Sequence, residues 1–220
     1  MDAPFADRRE AGRLLGEALA DHASIGEGTI VLALPRGGVP VGFEVAAALD
    51  APLAVFVVRK LGVPWHPELA MGALASGGIR YVDELLMRQL GVSQAQLETV
   101  VAREAVELSR REALYHAGAP LPSLRGRPVV LVDDGLATGA TMKAAVRAVR
   151  AQSPRRTIVA VPVGAPDTCA ALREEADEVV CLRTPPDFRA VGLWYARFDQ
   201  TTDAEVRSLL EQAAARRPIS

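Results

Sequence analysis

The sequence predicts a doubly wound parallel α/β sheet with a small cap, or hood, and a long helical insertion. Three observations carry that prediction. Short apolar runs at Ile30–Leu34, Leu53–Val58, Val129–Val132, Ile158–Val161 and Val179–Leu182 read as strands buried on both faces. They alternate with helical stretches at βαβ spacing, which implies parallel pairing with helices covering the sheet. Two of the strands run straight into loops of small residues that open helices, at the sheet end where open α/β folds bind ligands.

Each element has its own signal. Residues 5–22 carry Ala11, Leu14, Leu15, Ala18 and Leu19 as a helical stripe between charged faces. The strand at Ile30–Leu34 ends in Pro35-Arg36-Gly37-Gly38, and Val39–Leu49 reads as a small-residue helix before the strand Leu53–Val58. Residues 59–82, rich in Gly and Pro around Trp65, His66 and Pro67, read as a long loop, and loops of that length are usually functional or mobile. Ser93-Gln94-Ala95-Gln96 forms a capping box that opens a helix running to about His116. Its mixed Glu and Arg content suggests a largely solvated face. Pro120 and Pro122 end this excursion.

Alternation then resumes. The strand Val129–Val132 is followed by a helix from Gly139 to about Ala151, the strand Ile158–Val161, a helix near Asp167–Glu175 and the strand Val179–Leu182. A loop with Pro185, Pro186, Phe188, Trp194, Tyr195 and Phe198 leads to Thr202 and Glu205, which cap a final helix. Neither repeats nor low-complexity segments interrupt the chain. The expected organisation is one domain over residues 1–220, with cap elements at about 61–125 and 183–200.

Composition narrows the function classes. A chain of 220 residues buries enough surface to need no metal or disulfide staple. Half of it is hydrophobic, 24% is charged and the net charge is −2, so no general attraction to nucleic acid or membrane is expected. Cys169 and Cys181 sit among apolar residues and read as buried free thiols. The N-terminal residues lack a signal-peptide pattern and no apolar run is long enough to span a membrane, so a reducing cytoplasm is the expected compartment.

The chemistry concentrates in Val129-Val130-Leu131-Val132-Asp133-Asp134-Gly135-Leu136-Ala137-Thr138-Gly139-Ala140-Thr141-Met142. Two carboxylates stand at the end of a buried strand. The loop behind them offers backbone N–H groups, two Thr hydroxyls and the positive end of a helix dipole, which suit a phosphate monoester. Asp133 and Asp134 would repel that phosphate, but they suit a vicinal diol or a hydrated divalent cation. An anion cradle and diol acceptors one sugar apart describe a ribose 5-phosphate site. A P-loop is excluded because no Gly-Lys-Ser/Thr follows, and no GxGxxG turn is present.

Residues 129–142 resemble the phosphoribosyltransferase superfamily signature: four apolar residues, two acidic ones, and a loop ending Thr-Gly-x-Thr. The resemblance implies the type I phosphoribosyltransferase fold, with Asp133 and Asp134 on the ribose hydroxyls. Gly135, Leu136, Ala137, Thr138, Gly139, Ala140 and Thr141 would then take the 5-phosphate. It further implies a pyrophosphate loop at Pro35, Arg36, Gly37 and Gly38, with Arg36 as a planar fork for phosphate oxygens. Lys60, at the end of the next strand, is the expected basic partner of the pyrophosphate. Leu61–Ala73 and Phe188–Phe198 are similar to an uncharacterised bacterial subgroup of the superfamily, which extends the resemblance over nearly the whole chain. Hypoxanthine-guanine members carry an acidic residue where this chain has Ala137, so that specificity is not expected.

The implied activity is transfer of the 5-phosphoribosyl group from phosphoribosyl pyrophosphate to a nitrogenous acceptor, with release of pyrophosphate. Arg36, Lys60, Asp133 and Asp134 form the catalytic set, and Mg²⁺ arrives with the ligand, with Asp133 and Asp134 near it directly or through water. His66, Phe188 and Trp194 are candidates to meet the acceptor. Small-molecule substrates are the expected partners, with neither nucleic acid nor membrane, and a homodimer is compatible with the superfamily. Two other readings remain open: a regulator that senses phosphoribosyl pyrophosphate or a nucleotide without turnover, and a hydrolase or phosphorylase acting on a ribose phosphate.

Overall fold

A computed structural model describes residues 3–20, 22, 25–115 and 121–218. The predicted helix end at His116 and the breaker Pro120 lie outside the described residues. In chain order the elements begin with α1 (Arg8–Ala20), β1 (Ile30–Ala33), α2 (Gly38–Ala48) and β2 (Leu53–Val55). A hood follows, made of β3 (Val58–Val63), β4 (His66–Ala75), β5 (Ile79–Val82), α3 (Glu84–Leu90) and α4 (Gln94–Tyr115). The chain continues with β6 (Pro128–Val132), α5 (Ala140–Arg150), β7 (Arg156–Val163), α6 (Pro166–Arg173), β8 (Glu178–Arg183) and α7 (Asp203–Arg216).

The main sheet is parallel, with strand order β2-β1-β6-β7-β8. Every residue of β1, β2 and β6 is buried, as strands covered on both faces must be. One face packs on α2 through Val31, Val55, Val130 and Val132, and the other on α5 through Leu32, Leu131, Val146 and Val159. α1 approaches α2 closely because Gly12 and Gly16 lack side chains; a Cβ at Gly12 would stand 2.7 Å from the Val41 carbonyl oxygen.

The chain leaves β1 toward β2 on one side, while β6 pairs with β1 on the other. The topological switch point therefore lies between β1 and β6, and both loops singled out in the sequence emerge there.

One expectation requires correction. Residues 59–82 do not form a loop: β3, β4 and β5 make an antiparallel sheet whose β3–β4 hairpin turns at Pro64-Trp65. Helix α4 has the expected solvated face, with Gln94, Glu98, Arg103 and Arg110 exposed, while Leu97, Val100, Glu104, Leu108 and Tyr115 are buried. The helical period places them on one stripe against β3 and α7. The capping box does start this helix, with the Ser93 N–H donating to Gln96 Oε1 at 2.8 Å.

Candidate active site

The site begins with two loops pressed against each other. Leu34 N–H donates to the Val132 carbonyl at 2.9 Å, so the ends of β1 and β6 stay in register as they leave the sheet. Beyond that point the first loop leaves no room for a side chain at Gly37 or Gly38 as the neighbouring atoms stand. A Cβ at Gly37 would lie 2.0 Å from Asp134 Oδ2, and one at Gly38 would lie 2.8 Å from the Val132 carbonyl oxygen and 2.9 Å from Asp133 Cα. The predicted pyrophosphate loop and the predicted diol acids are thus in direct contact.

Asp133 and Asp134 are half-buried. Asp133 Oδ1 accepts the Asp134 N–H at 2.9 Å, an arrangement that fixes its carboxylate at the strand end. Burial, and then the neighbouring Asp134 charge, push the Asp133 carboxyl well above its ordinary range. Burial also raises Asp134, opposed by Arg8, whose Nε donates to Asp134 Oδ2 at 2.8 Å. Arg8 is held in turn: its Nη1 donates to the Asp199 carbonyl at 2.7 Å and its guanidinium lies 3.9 Å over the Phe198 ring. Tyr195 closes the back of the pair, donating its hydroxyl to the Asp134 carbonyl at 2.5 Å.

The predicted phosphate loop is anchored from behind. Leu136 N–H donates to the Val163 carbonyl and its own carbonyl accepts from Ala165 N–H, both at 2.9 Å. Thr168 Oγ1 donates to the Ala137 carbonyl at 2.7 Å. Gly139 adopts φ 69°, a left-handed conformation, and a Cβ there would strike Thr168 Cγ2 at 2.5 Å. This turn aims the first turn of α5, with its unsatisfied N–H groups, outward. Ala137, Thr138, Ala140 and Thr141 are exposed, forming an open cradle rather than a packed turn.

The other predicted residues fall into two groups. Arg36 faces Asp203, with Nη1 3.8 Å from Oδ1, and Asp203 also accepts the Tyr115 hydroxyl at 2.6 Å. Burial and that hydrogen bond push Tyr115 up to about 12. The Pro35–Arg36 peptide is cis. A cavity of about 370 Å³ joins core and hood. Pro35, Lys60 and Thr141 line it, so one space touches both predicted phosphate-binding loops and Lys60, which lies inside β3 and not at the end of the preceding strand as expected. Arg59, Arg103, Glu104 and Arg111 supply the charged remainder of its wall. A larger groove of about 660 Å³ lies among Arg80, Val82, Met87 and Leu97 of the hood and meets no predicted site residue.

The acceptor candidates lie elsewhere. His66 is exposed at the tip of the β3–β4 hairpin, beside Trp65. Phe188 and Trp194 pack with Val191 and Phe198 against Phe5, Ala11, Val163 and Tyr195. This aromatic segment forms the wall behind the acid pair: a Cβ at Gly135 would meet Val191 Cγ1 at 2.6 Å. Cys169 is buried and Cys181 partly so, and both are free thiols.

Among the described residues, no three His, Cys, Asp or Glu side chains converge into a metal cage. Mg²⁺ usually keeps several waters and takes one or two carboxylates plus substrate phosphates. The adjacent Asp133 and Asp134 fit an ion that arrives on a ligand's phosphates.

Sequence reasoning missed Arg8, Tyr195 as a hydroxyl donor, Thr168 and the charged wall of α4. Arg8 stands 126 positions from its partner Asp134, so no local pattern could have paired them.

Comparison with known proteins agrees with this geometry. The family model described as "Phosphoribosyl transferase domain" matches residues 7–193. The chain belongs to the phosphoribosyltransferase family. Two Mycobacterium tuberculosis proteins, from strains CDC 1551 and H37Rv and each named "Putative phosphoribosyl transferase", are 47% identical to it over 209 residues. That match covers 95% of this chain and 47% of each relative, so the chain spans about half the length of the curated relatives it matches. The crystal structure of TT1426 from Thermus thermophilus is 45% identical, covers 95% of this chain and 98% of its own, and superposes with a TM-score of 0.88. A Neisseria gonorrhoeae protein solved with bound ppGpp shares the fold at 14% identity and a TM-score of 0.51, covering 96% of this chain and 98% of its own. The fold is that of the type I phosphoribosyltransferases. Among the described residues, no helix is long and apolar enough to cross a membrane.

Proposed function

We propose that this phosphoribosyltransferase-family chain transfers the 5-phosphoribosyl group of phosphoribosyl pyrophosphate to a nitrogenous acceptor. The contact of Gly37 and Gly38 with Asp134 and Asp133 carries the reading, because it sets an anion loop against two diol acceptors at the switch point. The 5-phosphate sits on residues 135–141, the ribose hydroxyls on Asp133 and Asp134, and the pyrophosphate on residues 35–38 with Arg36 and Lys60.

In the reaction an acceptor nitrogen lone pair forms the new bond to ribose C1 while the C1–oxygen bond to pyrophosphate breaks. Positive charge grows on the ribose and negative charge on the leaving group. Arg36 and Lys60 stabilise the leaving group, and Arg36 exchanges Asp203 for a pyrophosphate oxygen. The N–H groups at the start of α5 and the Thr138 and Thr141 hydroxyls hold the 5-phosphate, so that the ribose stays aligned. Asp133 and Asp134 would hold a Mg²⁺ ion arriving with the ligand, and that ion would supply further charge neutralisation.

Removing one such electrostatic contact commonly costs about 100–1,000-fold in rate. Arg36→Ala should therefore slow pyrophosphate release from phosphoribosyl pyrophosphate by about that order, and unchanged release removes Arg36 from the assignment. Asp133→Asn combined with Asp134→Asn should abolish calorimetric binding of ribose 5-phosphate, whereas intact affinity removes the diol role.

A further inference from the structure

The hood wall of the 370 Å³ cavity carries chemistry that the proposed site leaves unused. Glu104, near the middle of α4, is only 7% exposed, although a charged side chain is rarely buried without partners. Its partners are two cavity-lining arginines. Arg59 donates to Oε2 from Nε at 2.9 Å and from Nη2 at 2.6 Å, and Arg103 Nε donates to Oε1 at 3.0 Å. A guanidinium has five N–H donors, so Glu104 exhausts neither of them. Arg111 lines the cavity two turns further along α4, its Nε held by Glu107 Oε1 at 2.8 Å.

A buried carboxylate that grips two guanidiniums fixes their planes at the cost of its own desolvation. For stability alone, such an arrangement is often no better than an apolar contact. Here the charged wall faces Pro35 and Lys60 across a space that also touches Thr141. We infer that α4 completes the pyrophosphate pocket from the hood side: Arg59, Arg103 and Arg111 contact the pyrophosphate, and Glu104 is the positioning residue that orients Arg59 and Arg103. This rests on the reading of residues 35–38 and 135–141 as a phosphoribosyl pyrophosphate site. It adds that the leaving group is held between core and hood, so the hood helix serves the reaction and does more than cover it.

The test uses two ligand halves in calorimetric titrations of the whole chain: ribose 5-phosphate, and inorganic pyrophosphate with Mg²⁺. Arg103→Ala and Arg111→Ala alter partly exposed side chains, and each should weaken pyrophosphate by about 10-fold or more, the usual scale for one charge-assisted hydrogen bond. Ribose 5-phosphate affinity should stay at the wild-type value, which also reports an intact fold. Glu104→Gln separates positioning from charge by sign. Deleting a negative charge from the wall raises anion affinity if Glu104 acts only through its charge, and lowers it if Glu104 orients the guanidiniums. Weaker pyrophosphate binding with unchanged ribose 5-phosphate binding is the expected result. Unchanged or tighter pyrophosphate binding in Glu104→Gln overturns the positioning role. Equal losses for both ligands, or none in the arginine variants, overturn the clamp. If the wild-type chain binds no ribose 5-phosphate, the underlying site reading fails and the clamp falls with it.

Discussion

Asp133 and Asp134 are carboxyls held at a partly buried strand end, and burial works against their charged forms. Both are raised by burial, and the pair repel each other across one peptide bond. A carboxyl whose folded pKa exceeds its unfolded value binds more protons in the folded state. The stability it contributes is complete below the ordinary value of 3.8 and is lost as pH rises through the raised folded value. Thermal stability of the ligand-free chain should accordingly fall as pH climbs out of the ordinary carboxylate range. Asp133→Asn should flatten that fall and stabilise the chain at neutral pH by about 1 kcal/mol, or roughly 2–4 °C in Tm, while ribose 5-phosphate affinity drops. Melting curves across pH check this; a destabilised Asp133→Asn variant with unchanged pH dependence contradicts it. The acid pair was legible in the sequence because two carboxylates between a buried strand and a small-residue loop leave few chemical roles. Its partner Arg8 was not, because nothing in Arg8-Arg9-Glu10 distinguishes one helix-surface arginine from the next.

At the scale of elements, the loop after β1 is set by the absence of side chains. Gly37→Ala places a methyl group where Asp134 Oδ2 stands and forces that carboxylate off Arg8. Overpacking of this kind costs about 1–3 kcal/mol, so the variant should unfold at lower denaturant and lose ribose 5-phosphate binding. A Gly37→Ala chain with wild-type midpoint and affinity would show that the two loops are not coupled. The core strands were readable because Ile, Val and Leu runs buried on both faces have few alternatives. The hood strands were not. Leu69-Ala70-Met71-Gly72-Ala73-Leu74-Ala75 is rich in residues with weak strand preference, with Pro64 in the hairpin turn and Pro67 just after it. Pairing, with close approach at Gly62 and Gly72, makes them a sheet; a Cβ at either glycine would lie 2.4 Å from a carbonyl oxygen of the opposing strand. Likewise, Glu104 looked like one acid among many until the hood placed Arg59 beside it.

For the molecule as a whole, the order β2-β1-β6-β7-β8 puts the switch point between the two predicted ligand loops, and core and hood line one cavity beside it. The sheet, its helices and the placing of Asp133 and Asp134 at a strand end before an open loop were all foreseeable from periodicity and a short motif. The acceptor was not foreseeable, since its pocket depends on how the hood folds back, and the aromatic residues Phe188 and Trp194 pack behind the acids instead of facing the cavity. The central claim is that the loops after β1 and β6 together hold phosphoribosyl pyrophosphate. Calorimetric titration of the chain with phosphoribosyl pyrophosphate, with and without Mg²⁺, tests it most directly. Saturable binding that tightens with Mg²⁺ is the expected result. Absence of binding in both conditions would contradict it and assign residues 135–141 to a different phosphate ester.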